Sequence, residues 1–176
     1  METLQFENLL LKTAFACMAC DGDIDENEIQ LIKRLHEEHQ AFGDIDISTE
    51  INSLLTALNN DSVLFMKDYF SELSTLKISQ AKELEIIKIA VDTINADEKV
   101  EYREIKFFKV IRSYLKIKND QIVAKHPDFE TYLEEDIISD SYLNRLQADY
   151  FDSHVKLNLN SSISYDLDSI KIKEKK

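Results

Sequence analysis

Along most of this 176-residue chain, apolar residues return every three to four positions. That spacing keeps them on one side of an α-helix. Residues 4–20 (LQFENLLLKTAFACMAC) go further and are apolar on most faces, which predicts a central, buried helix. Residues 26–42 place Ile29, Ile32, Leu35, His39 and Phe42 on one stripe, and Gly43 fits a helix C-cap. Ser48 or Thr49 is the expected cap of a third helix ending at Asn60, and Asp61 that of a fourth over residues 62–76. Ser79 caps a fifth over residues 80–96, whose Leu84, Ile87, Val91 and Ile94 follow helical spacing. A sixth over residues 102–117 repeats this with Ile105, Phe108, Ile111 and Leu115.

Beyond residue 117 the pattern weakens. Pro127 punctuates, and residues 129–151 have room for one or two short helices. Residues 153–176 are Ser/Asn-rich and alternate weakly, which reads as an extended or disordered tail, a two-stranded hairpin being the minor alternative. The expected organisation is a helical domain over 1–125, a helical extension over 126–152 and a tail over 153–176. Within the first, two related helix–acidic loop–helix units, residues 4–42 and 79–116, flank a helical insert.

Composition narrows the class. Two glycines and one proline are poor material for the turns that a strand-rich fold needs. With 44% hydrophobic residues, the expected fold is all-α, a bundle of about six to eight helices. The 34 acids outnumber the 21 bases, giving a formal charge of −13. Such a field repels phosphate backbones and anionic lipid heads, and it suits cations or a protein partner. The expectation is therefore a protein partner, no nucleic acid and no membrane insertion. The first residues carry no basic leader, and their apolar run is too short for a signal segment or a span. With only two cysteines, this implies reduced thiols in the cytoplasm.

One short phrase occurs twice. Residues 19–29 read ACDGDIDENEI and residues 95–105 read NADEKVEYREI. Asp21 answers Asp97, Ile24 answers Val100, Asp25 answers Glu101, Glu28 answers Glu104, and Ile29 answers Ile105. Part of this is helix punctuation. Asp25 and Glu28 have the spacing of a capping box, and Ile24 and Ile29 that of a hydrophobic staple. Glu101, Glu104, Val100 and Ile105 repeat the grammar with a poorer cap. Capping does not account for Asp21, Asp23 or Asp97. Clustered carboxylates repel one another, and a hard divalent cation, Ca²⁺ or Mg²⁺, relieves that repulsion through oxygen ligands. The candidate ligands are thus Asp21, Asp23, Asp25 and Glu28, then Asp97, Glu101 and Glu104, with Lys99 weakening the second set. The loop is not an EF-hand, because Glu26 stands at its sixth position and Ile32 at its twelfth.

Ala19, Asp21-Gly22-x-Ile24 and Glu28, preceded by an apolar helix and answered by Ala96-Asp97 and Glu104, resemble the tellurite-resistance TerB-like family. The resemblance covers about residues 4–116, and the chain departs from the family's usual Gly at Glu98. It implies an all-helical domain of about seven helices carrying two Asp-Gly-x-apolar-x-x-x-Glu loops. It further implies metal association at the paired loops, through Asp21, Glu28, Asp97 and Glu104, and membership of bacterial stress-response systems.

Cys17 and Cys20 form a CxxC, but they end a helix and precede three aspartates, so dipole and charge both oppose thiolate formation. Core cysteines are expected. A zinc set completed by His36 and His39 fails on reach, since His36 lies roughly 10–15 Å further along the hairpin at 1.5 Å per residue. No Gly-rich phosphate loop and no Ser-His-Asp order occurs. The chain therefore reads as a non-enzymatic TerB-like stress-response module acting by protein interaction, with a divalent cation at its acidic loops. A metal-dependent hydrolase using the same acids and a purely structural helical interaction domain are the rival readings.

Overall fold

The structure, a computed structural model, describes residues 2–21, 24, 26–96, 100 and 102–134. Eight α-helices follow in order among them: α1 (Glu2–Met18), α2 (Glu26–His39), α3 (Ile47–Asn60), α4 (Ser62–Thr75), α5 (Gln80–Ile94), α6 (Tyr102–Tyr114), α7 (Asn119–Lys125) and α8 (Glu130–Leu133). Short 3₁₀ turns, Ala19–Asp21 and Pro127–Phe129, extend α1 and precede α8. The described residues contain no strand. The all-α bundle expected from the sequence is what forms.

α1 is the axis of the bundle. Every residue from Thr13 to Cys20 is buried, because α2, α3, α4, α5 and α6 all pack on it. Its most extensive neighbour is α5. The two run in the same direction: near their starts the Lys82 ammonium stands 4.4 Å from the Phe6 ring centroid, and beyond their ends the Ala19–Asp21 turn lies on α6. The central, buried helix expected over residues 4–20 is therefore found, with α5 as its main partner. Each Leu, Ile or Phe buried here contributes roughly 1.5–3 kcal/mol relative to exposure. Aromatic rings complete the core. Phe70 meets Tyr69 at 5.0 Å, Phe107 at 5.7 Å and Tyr114 at 5.0 Å between centroids, and Phe15 meets Phe65 edge-on at 5.8 Å.

Helix ends follow capping chemistry, sometimes at a neighbouring residue. Asp61 joins two helices by itself. Its N–H donates to Ala57 O, closing α3, and its carboxylate accepts the Leu64 N–H at 2.9 Å, opening α4. Ser79 caps α5 through the Lys82 N–H. The cap of α3 is Asp46 rather than Ser48 or Thr49: its carboxylate accepts the Thr49 N–H at 3.1 Å and the Thr49 hydroxyl at 2.8 Å. Those two bonds hold the Asp46 carboxyl below its ordinary range. α2 ends at His39, before the expected Gly43. Gln40 and then Gly43 take left-handed backbone, φ +46° and +63°, and a Cβ at residue 43 would lie 2.1 Å from the Glu7 carboxylate.

α7 was not foreseen, whereas α8 falls within residues 129–151, where one or two short helices were expected. α7 forms over residues 119–125 with only Ile122 buried. The turn before it is held by Glu83, whose buried carboxylate accepts the Lys116 and Ile117 N–H groups. Arg112 supports the same turn by donating to Leu115 O, Ile117 O and the Asn119 side chain. α8 returns to the bundle, where Tyr132 meets Phe108 edge-on and bonds to Asn95.

Candidate functional site

α1 and α5, the helices that precede the two acidic phrases, finish at the same end of the bundle. Since α1 and α5 are side by side and parallel, the chain leaves both helices at the same end and turns back into α2 and α6. The Ala19–Asp21 turn, which follows α1, packs on α6. Glu28 is the third residue of α2 and Glu104 the third of α6, the position from which a capping box reaches back. Both are half-buried and engaged with neighbours. The backbone of Asp21 closes the 3₁₀ turn that lies on α6. Asp23, Asp25, Asp97 and Glu101 lie outside the described residues, as does residue 98, where the family resemblance breaks.

The two phrases are not equally seated. Ile24 and Ile29 are both buried, as a staple requires. Val100 is 37% exposed and Ile105 only half-buried, so the second phrase grips its helix less tightly.

Cys17 and Cys20 are free thiols buried directly beneath the first phrase. Burial pushes the Cys17 thiol well above its ordinary value, and the charges of Cys20 and Glu104 push it the same way. His36 stacks on Phe42, with ring centroids 6.2 Å apart. Among the described residues no three His, Cys, Asp or Glu side chains converge where a metal ion fits. Glu28 and Glu104 are the two of the seven candidates whose side chains are described. A donor set made of carboxylates at a shared end suits a hard cation, whereas protonated buried thiols do not add to it.

A second feature was not legible in the sequence. An open groove of about 470 Å³ is lined by α3, α4 and the N-terminal half of α1. Its walls come from three separate segments, and no single stretch carries a motif for it. No described helix is long and apolar enough to cross a membrane. No family model, curated protein or solved structure matches this chain.

Proposed function

We propose that this chain is a non-enzymatic TerB-like module of a bacterial, tellurite-resistance type stress response. It works in the cytoplasm by binding protein partners, with Ca²⁺ or Mg²⁺ held at its paired acidic loops. The observation that supports the reading is that parallel α1 and α5 finish at the same end of the bundle, where the Ala19–Asp21 turn packs on α6. Asp21, Asp23, Asp25 and Glu28 would hold the ion, with Asp97, Glu101 and Glu104 beside them. The ion supplies charge neutralisation, which lets several carboxylates share a small volume. The chain's own part is to fix Glu28 and Glu104 at the third positions of their helices. The residues offered are all carboxylates, and the thiols beneath them are buried, which favours a binding module over a hydrolase.

The burial of Ile24 and Ile29 supports a second reading, in which the phrases are helix punctuation only. Thermal melts with and without Ca²⁺ or Mg²⁺ separate the two. Cation at about 100 times its dissociation constant stabilises by about 2.7 kcal/mol. Asp21→Asn abolishes that shift if the site is real, since Asp21 has no part in the capping box. Asp25→Ala costs about 1 kcal/mol in either condition, because it removes a cap. A wild-type protein without any shift, or a shift that survives Asp21→Asn, overturns the cation site.

A further inference from the structure

A groove lies between α1, α3 and α4. Its lining runs from Glu50 to Asn60 on α3 and from Asp61 to Glu72 on α4, about 15 Å or three turns along each helix. Leu11, Leu54 and Phe65 give it an apolar floor, and Leu64 stands at its edge 53% exposed. Four carboxylates and one ammonium line it, a net of three negative charges. The ammonium, Lys12, is tied to Glu72 at 2.7 Å, and Asp61 is engaged as a cap. Glu50, Asp61 and Asp68 therefore carry the remaining field. Asn8 also contributes to the lining.

We infer that this groove docks a cationic amphipathic helix of a partner protein. Helix-in-groove binding presents apolar anchors at i, i+3, i+4 and i+7, which three turns of floor can take. Lysine and arginine side chains offer only donors, which matches the acids that line the groove. An acidic or phosphate-bearing occupant would meet the same field with the wrong sign. By charge alone the chain's own residues 170–176 (IKIKEKK), which lie outside the described residues, are the competing occupant. This inference rests on the proposed function only in taking the chain to bind protein. Its residues are distinct from the acidic phrases: Asn8 and Lys12 precede Asp21 by about 13–20 Å of helix. Its failure thus leaves the cation melts standing, and theirs leaves it standing.

The test is fluorescence anisotropy with the full chain at physiological ionic strength. The probe is a labelled Leu/Lys peptide of about five helical turns with its leucines on one face, against an isomer of equal composition without that period. The amphipathic peptide should saturate one site and bind at least about tenfold more tightly than the isomer. Leu64→Asp should weaken it about tenfold although the substitution adds negative charge, and Asp68→Asn should weaken it and flatten its salt dependence. Both side chains are exposed, and circular dichroism confirms that the variants keep the fold. Equal binding of the two peptides, or a Leu64→Asp variant that binds as well or better, reduces the effect to the attraction of an acidic protein and overturns the proposal. So does binding that appears only when Lys171, Lys173, Lys175 and Lys176 are all changed to Glu, since the chain's own segment is then the occupant.

Discussion

The carboxylate of Glu83, near the start of α5, accepts the backbone N–H of Ile117 at 2.6 Å, thirty-four residues further along the chain. The same side chain takes the Lys116 N–H at 3.2 Å. A buried acid thus closes the turn where α6 gives way to α7, satisfying two donors that follow the end of a helix.

Removing that acceptor leaves both donors without it in a place largely shut off from water. Glu83→Ala should destabilise the protein by about 1–3 kcal/mol, and Glu83→Gln should recover part of the loss. Urea titration followed by circular dichroism reads the difference. A variant as stable as the wild type would show that water replaces the carboxylate there at no cost.

Asp61 serves two helices, so its loss should be felt in both. Asp61→Ala removes the α4 cap and is expected to cost about 1 kcal/mol. Asp61→Asn or Asp61→Ser should restore most of it, as each keeps a side-chain oxygen. Equal losses in all three variants would assign the cost to the charge rather than to the cap.

Alkaline pH should unfold this protein more readily than neutral pH. Burial raises Tyr69 well above its ordinary value of 10.0 and Cys17 well above 9.0. Both stay protonated in the fold while the unfolded chain ionises at the ordinary values. Their contribution is complete below pH 9 and is lost as the pH climbs towards the folded values. Stability measured against pH should therefore fall from about pH 9 upward, less steeply in Tyr69→Phe. The hydroxyl of Tyr69 donates to Thr13 Oγ1 at 3.1 Å, so that variant should start roughly 0.5–1.5 kcal/mol less stable at neutral pH.

Iodoacetamide reports on the same core. Cys17 and Cys20 are 1% and 5% exposed, and Cys17 is held in the unreactive thiol form. At neutral pH alkylation should be slow until denaturant is added. Fast labelling of the native protein would mean that the end of α1 opens on its own.

Much of the bundle was legible because its helices announce themselves twice, by stripe and by cap. α4 and α5 begin where Asp61 and Ser79 say they should. The start of α3 was misplaced because Ile47, a β-branched residue between Asp46 and Ser48, disguises the first turn of a helix. α7 escaped because a helix of under two turns with one buried residue has no period to detect. Glu83 was hidden more deeply: an acid in a first helical turn looks like a solvated dipole partner, and its real partners are backbone groups that no side-chain pattern reveals. The candidate site was legible as composition, in the repeated acids, while the parallel pairing of α1 and α5, which brings the ends of both helices to one side of the bundle, is something spacing does not encode.

That parallel pairing also has a price in time. α1 ends at Met18 and its main partner α5 at Ile94, so 76 residues separate the synthesis of a helix from that of the surface that covers it. At about 5–20 residues per second, the interval is about 4–15 seconds. Throughout it, the most apolar segment of the chain has only α2, α3 and α4 to shelter against. A nascent chain stalled before residue 80 would present a sticky, half-covered rod, and chaperone capture should peak there and fall once α5 has emerged.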